Sequence, residues 1–190
     1  VWTSMTSGKK SSVPICLSSL TTLSSVMVRL VRSSNHLPSV NLIWHLSLVS
    51  KWNEAHMRTA ENYASLSSAK RLKVGCVIVK DNRIISIGYN GMPSGWDNNC
   101  EHEVETWPRG RKLVTKDEVL HAEANAITKV AMSSESCYNG DIYTTTAPCL
   151  ECAKLIYQSG ISNVFYRTPH LRSDDGIKFL EKCNIPVSVI

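Results

Sequence analysis

The sequence predicts an α/β fold, a three-layer α/β/α sandwich around a mixed five-stranded sheet, carried by residues 51 to 190. Three observations predict it. Two apolar, β-branched runs, Val74 to Val79 and Ile84 to Tyr89, flank the polar turn Lys80-Asp81-Asn82-Arg83 and read as a β-hairpin. Beyond the hairpin, helical and extended patterns alternate to the end of the chain. A helical stretch also precedes it.

That first helix runs from Trp52 to about Ser68, where Ala55, Thr59, Ala60, Tyr63, Ala64 and Leu66 recur at helical spacing without Gly or Pro. Cys76 lies inside the first apolar strand and is expected to be a buried, inert thiol. Asn90 to Asn99 is dense in turn residues and reads as a loop. Cys100 to Asp117 is charged, is broken at Trp107-Pro108-Arg109-Gly110, and reads as an irregular insertion. Val119 to Ala131 is expected to be a helix, with Asp117 and Glu118 at its positive end. Asp141 to Thr145 reads as a strand. Pro148 suits the first turn of a helix reaching Ser159, and Gly160 ends it. Asn163 to Tyr166 is a strand, Asp174 to Cys183 a helix, and Pro186 to Ile190 a last strand. No internal repeat is present.

Composition is that of a globular chain, and 190 residues suffice for one full domain with an appendage. The net charge of +5 is unevenly placed: residues 1 to 50 hold Lys9, Lys10, Arg29 and Arg32 with no Asp or Glu, so the remainder carries only +1. A nearly neutral domain is poorly suited to long nucleic acid. The first fifty residues also contain thirteen serines. They read as a dispensable extension, either an organellar transit peptide or sequence translated upstream of the true start. Their longest apolar run, near Val40 to Val49, is interrupted and too short for a bilayer, so no membrane association is expected. Seven cysteines, an odd number in a chain this long, argue against a disulfide scaffold and for a reducing, cytoplasmic setting.

The chemistry is concentrated in His121-Ala122-Glu123 and Pro148-Cys149-Leu150-Glu151-Cys152. With seven Cys and seven Pro in the chain, a chance P-C-x-x-C is expected roughly 0.01 times. His121, Cys149 and Cys152 can supply three ligands to one tetrahedral Zn2+, leaving a fourth corner for water. Glu123 is not needed as a ligand, so its natural task is moving protons. Around an α-helix His121 and Glu123 lie about 200° apart, so they can serve one site only where a helix terminus points into it. Cys149 and Cys152 share a face at the start of their helix, where the terminus favours thiolates and its N–H groups suit a developing oxyanion. Two other readings use the same residues: a structural zinc, which would want a fourth Cys or His, and a redox C-x-x-C, which would want neither His121 nor Glu123.

The H-x-E and P-C-x-x-C spacing resembles the zinc-dependent nucleoside and nucleotide deaminases. The resemblance tightens with Lys73-Val74-Gly75, Gly88-Tyr89-Asn90-Gly91-Met92-Pro93-Ser94-Gly95, His121 to Ile127 and Pro148 to Ile156, which look like the deoxycytidylate (dCMP) deaminases over residues 51 to 190. It implies a cytidine deaminase-like sheet and hydrolysis of dCMP to dUMP and ammonia. It also implies Lys73 at the substrate phosphate and Asn90 at the sugar and base. His170 and Arg172 stand where relatives commonly place a Tyr, often beside an Arg, at that phosphate. Further implications are activation by dCTP with Mg2+, inhibition by dTTP, and a homo-oligomer, with a hexamer favoured. The loop containing Gly91, Met92, Ser94 and Gly95 suits an effector site, because a Gly-rich turn can expose N–H groups to phosphate; equally, it suits a plain turn in the active-site wall. Cys100 and His102 lack a further pair for a second, structural zinc. The alternatives are a deaminase acting on tRNA adenosine or another nucleobase, and a non-catalytic zinc module. Glu123 argues against the latter.

Overall fold

The computed structural model describes residues 51–190. Its elements are α1 (Lys51–Ala64), β1 (Gly75–Lys80), β2 (Arg83–Tyr89), β3 (Glu101–Thr106), β4 (Gly110–Thr115), α2 (Ala122–Ala131), β5 (Asp141–Thr146), α3 (Leu150–Gln158), β6 (Asn163–Thr168), α4 (Asp175–Lys182) and β7 (Val187–Val189). The expectations for residues 1–50 lie outside the described residues.

Five strands form one mixed sheet in the order β2-β1-β5-β6-β7. β1 is antiparallel to both β2 and β5, while β5, β6 and β7 run parallel. Side chains alternate across a strand, and β1 shows what this does here. Cys76 and Ile78 face one way into a cluster with Ala122 and Ala126 of α2, Ile156 of α3 and Leu180 of α4. Val77 and Val79 face the other way, against Met57 and Ala60 of α1 with Tyr143 and Phe165. The sheet is therefore covered on both faces, which is why β1 is a continuous apolar run. Cys76 is fully buried, and desolvation pushes its thiol well above the ordinary range.

On the α1 side the Tyr143 and Phe165 rings stack 4.7 Å apart, and the Tyr143 hydroxyl donates to Asn53 Oδ1 at 3.1 Å. Arg167 of β6 fastens the same helix from the outside, donating to Glu54 at 3.1 Å and Glu61 at 3.0 Å. No helix among the described residues is long and apolar enough to cross a membrane.

Several boundaries differ from expectation. α1 stops at Ala64, because the serines beyond it turn to other backbone groups: Ser65 Oγ donates to Asn62 O and Ser67 Oγ to Asn90 O. Residues 100 to 117 are not irregular. β3 and β4 form a separate antiparallel hairpin with Glu101 opposite Thr115. Both strands are largely exposed, so they carry no apolar alternation to announce themselves. α2 begins at Ala122 instead of Val119, since Leu120 and Gly91 exchange backbone hydrogen bonds of 2.9 and 3.1 Å that hold the approach to the helix extended. Asp117 and Glu118 consequently sit in a turn before it, and Glu123 is the acid in its first turn. α3 begins at Leu150, which puts Pro148 one residue before the N-cap.

Candidate active site

The site lies where β5 ends and β1 begins, at the carboxyl edge of the parallel strands. Two helices start there. His121 caps α2 with φ −73° and ψ 154°, and Cys149 caps α3 with φ −69° and ψ 170°. Neither side chain caps its own helix. Both residues are extended, and this turns their side chains toward one another across the two helix starts.

His121 Nδ1 lies 3.4 Å from the Cys149 sulfur and 3.4 Å from the Cys152 sulfur. A tetrahedral zinc with ordinary Zn–N and Zn–S bonds would separate such atoms by ~3.5 Å. The donor set and its spacing thus fit zinc, and His121, Cys149 and Cys152 would hold it. Among the described residues no other group of His, Cys, Asp and Glu has metal-holding geometry. Cys100 is buried and lies 3.8 Å from Asn98 O, away from any such group.

The two thiols share a hydrogen bond. The hydrogen bond from Cys152 lowers Cys149 to about 3, with further help from His121 and from the Cys152 backbone N–H. The same bond, together with burial, raises Cys152. The helix terminus and His121 both favour the Cys149 thiolate, and the Cys149 contact in turn raises the pKa of His121.

Glu123 is only 4% exposed, and burial pushes its carboxyl above the ordinary carboxylate range. Its place in the first turn of α2, two residues beyond the N-cap ligand, resolves the helical-wheel conflict, since the helix terminus itself points into the site. A raised, water-shielded carboxyl beside a metal-ligand cluster is suited to taking and returning protons.

Two close approaches fix these helix starts. A side chain at Gly88 of β2 would collide with the Ala122 carbonyl and come within 2.7 Å of the Ala126 nitrogen, so only glycine lets β2 lie against α2. Gly176 of α4 has the same relation to α3, where a Cβ would strike the Pro148 carbonyl oxygen and stand 2.9 Å from Cys149 backbone atoms.

A cleft of about 350 Å³ opens beside the ligands, of a size suited to a small molecule. His121, Glu123, Cys149, Asn90, His170 and Arg172 all line it, so the fold brings together residues 80 positions apart. Asn90 also braces the wall, accepting from Val74 N at 2.8 Å and donating to Leu72 O at 2.8 Å. His170 Nδ1 accepts from the backbone of Arg172 and Ser173 at 3.3 and 3.4 Å.

Lys73 is a correction. Leu72 and Val74 line the cleft and Lys73 does not; its ammonium turns back and donates to Ser65 O at 3.3 Å. Arg71 lines the cleft instead, with its guanidinium donating to Thr115 Oγ1 at 2.9 Å. Glu101, also in the lining, carried no sequence signal among the charges of the hairpin.

In the loop after β2, Gly91 spends its N–H on Leu120, and Met92 packs against Ala69, Cys100 and Val119. Ser94 and Gly95 are exposed, with Gly95 at φ 87°. The Gly91 amide is therefore not free for a phosphate, but its bridge ties this loop to the residue preceding His121.

Comparison with known proteins agrees with this geometry. Residues 50–168 match the model of the cytidine and deoxycytidylate deaminase zinc-binding region. The chain is 40% identical over 142 residues to a probable deoxycytidylate deaminase of Drosophila melanogaster, covering 64% of this chain and 67% of that protein. It is 38% identical over 130 residues to human deoxycytidylate deaminase, covering 66% and 69%. The crystal structure of the dCMP deaminase of cyanophage S-TIM5 in complex with dCMP and dUMP superposes with a TM-score of 0.67 at 38% identity, over 75% of this chain and 99% of that one. With the family's zinc-binding region spanning most of the described fold and both ligand-bearing helix starts, the chain belongs to the cytidine and deoxycytidylate deaminases.

Proposed function

We propose that this protein is a deoxycytidylate deaminase that hydrolyses dCMP to dUMP and ammonia. The observation that carries the reading is the likeness to the cyanophage enzyme, whose structure was solved with dCMP and dUMP, over the whole domain that builds the cleft. Zinc bound by His121, Cys149 and Cys152 would supply Lewis acidity and make hydroxide available near neutral pH.

The chain's own residues do the rest. Glu123 takes one proton from the attacking water and passes it to the ring nitrogen, then takes the second from the added hydroxyl and delivers it to the departing amine. The C–N bond breaks, ammonia leaves with both electrons of that bond, and the water oxygen remains as the carbonyl. Burial of Glu123 suits it to hold a proton between these steps. Backbone N–H groups at the start of α3 can steady charge on the reacting carbon's oxygen, although the Cys152 amide already bonds the Cys149 sulfur. His170 and Arg172 give the cleft its basic side, and with Lys73 turned away they are the groups to receive the 5′-phosphate, while Arg71 is held on the β3–β4 wall by Thr115. Asn90 holds the wall against which the sugar and base would lie.

We further propose regulation by dCTP with Mg2+ and by dTTP within a homo-oligomer, a hexamer by resemblance. The Gly91–Leu120 bridge supports a mechanical link, since movement of the 91–95 loop would be felt at His121. A reducing, cytoplasmic setting is supported by the free state of the described cysteines.

The test is ammonia release from dCMP, deoxycytidine, CMP and adenosine by the purified full chain. The expected result is a strong preference for dCMP, with dCTP and magnesium converting a sigmoidal rate curve to a hyperbolic one. Preference for adenosine, or equal use of deoxycytidine, would overturn the substrate assignment.

A further inference from the structure

The cleft wall contains a carboxylate that neither the metal cluster nor the proton relay uses. Glu101, the first residue of β3, is 4% exposed. One of its oxygens is fully employed: Oε1 accepts the backbone N–H of Lys70 at 2.9 Å and of Arg71 at 3.1 Å, pinning the strand of chain that carries Arg71 and Leu72 into the lining. The other is not. Among the described residues, Glu101 Oε2 is the buried side-chain oxygen or nitrogen without a hydrogen-bond partner.

Buried polar atoms are nearly always paired, and an ionised carboxylate left short of a donor is among the costlier exceptions, so such an atom in a binding wall calls for a ligand. An ionised carboxylate only accepts. The missing partner must therefore be a donor. Resting on the reading of the cleft as a deoxynucleotide site, the candidates are few. The phosphate offers acceptors and negative charge, which Glu101 would repel. The exocyclic amine is the leaving group and belongs beside His121, Cys149 and Glu123. The remaining donor is the hydroxyl on the sugar.

We propose that Glu101 is a substrate-positioning residue, accepting the 3′-hydroxyl of the deoxyribose through Oε2 while Oε1 keeps the 70–71 backbone in place. The terminal torsion of Glu is soft, so a small turn of the carboxyl presents Oε2 to the cleft. The arrangement also gives the cleft a direction. Sugar hydroxyl goes to the acidic wall of β3, and phosphate to the side of His170 and Arg172.

The experiment compares dCMP with 2′,3′-dideoxycytidine 5′-monophosphate, in steady-state deamination, and their uracil products, in calorimetric binding. The zinc-loaded wild type, E101Q and E101A are assayed side by side. Wild type should favour the hydroxyl-bearing nucleotide by about 10-fold in kcat/KM, mostly through KM, and by a similar factor in product Kd. E101A should reduce both preferences to about 2-fold. If E101A loses its fold, E101Q decides, because its amide oxygen can still accept from Lys70 and Arg71 while the neutral group weakens the bond to the hydroxyl; its preference should fall at least ~3-fold. A folded variant that keeps the wild-type ratio in both assays overturns the assignment of Glu101. Wild type that deaminates dCMP without distinguishing the dideoxy compound overturns it as well, and leaves the deaminase reading intact. Failure of wild type to deaminate dCMP removes that reading itself.

Discussion

Replacing Gly176 with Ala puts one methyl group where α4 presses on the metal site. The added Cβ would stand 2.9 Å from the carbonyl carbon and oxygen of Cys149, and closer still to the Pro148 carbonyl oxygen, whereas ordinary contact begins at 3.4 Å. Clearing even the Cys149 atoms requires about 0.5 Å of separation, the difference between those two distances. Metal–ligand distances tolerate only ~0.2 Å. The motion can be taken by α4, at the expense of the packing of Leu180, which is fully buried, or by Cys149, at the expense of the metal. Overpacking of this kind costs about 1 to 3 kcal/mol, and a domain of this size loses roughly 2 to 4 °C of Tm per kcal/mol. We expect a Tm lowered by roughly 2 to 12 °C and zinc affinity weakened about 10-fold, the latter on the scale seen when a metal ligand's support is disturbed. Calorimetry of the zinc-loaded protein and competition with a chromophoric chelator measure the two quantities. Wild-type Tm together with wild-type zinc affinity would refute the claim that α4 positions the Cys149 ligand.

Glu123→Gln should keep about one zinc per chain, measured by atomic absorption, while kcat falls at least 10²-fold; near-normal turnover would remove Glu123 from proton transfer. Asp141, half-buried at the start of β5, has its carboxyl pushed up by burial despite the 2.7 Å hydrogen bond from Asn163. Its folded pKa thus lies above its unfolded value, so ionisation costs native stability above the folded pKa and costs nothing below the unfolded one. Asp141→Asn should therefore raise Tm at pH 7, with the gain shrinking as pH falls toward 4, and a gain that grows on acidification would contradict this sign. A chain starting at Lys51 retains every element described above and should bind zinc and turn over like the full chain; a Tm lower by more than several degrees would show that residues 1 to 50 contribute to the fold.

The parts of the fold that sequence made legible are those where burial imposes a period. β1 must satisfy two cores at once, so five successive residues are buried and the run is apolar without a break. α2, α3 and α4 each bury one stripe, and their spacing was readable for the same reason. The β3–β4 hairpin buries almost nothing. Its ladder is held by backbone hydrogen bonds and by surface pairs such as Arg111–Glu103 at 3.2 Å, and neither leaves a hydrophobic pattern in the chain. The start of α2 is hidden in the sequence for a related reason. Val119 is apolar because it packs with Ala69 and Cys100, outside any helix, and hydropathy alone cannot tell that burial from a helical one.

At the site the same distinction separates metal ligands from the substrate wall. Zinc chemistry admits few residue types at few spacings, so His121, Cys149 and Cys152 stand out in the sequence, and Glu123 stands out by its place two residues after the His. A cleft wall is built from whatever the fold turns inward, and that depends on orientation more than on residue type. Lys70, Arg71 and Lys73 are three similar basic residues within four positions, and only the local backbone decides that Arg71 faces the cleft while Lys73 reaches back to Ser65. Glu101 is a sharper instance, since the hairpin bearing it also carries Glu103 and Glu105 on open surface. What sets Glu101 apart is its burial at the root of that hairpin, opposite Thr115, with two backbone amides on one oxygen and none on the other. The cleft wall in this fold is therefore built by the connections between α1 and β1, between β2 and α2 and between β6 and α4, whereas the metal-ligand cluster is held by two helix starts.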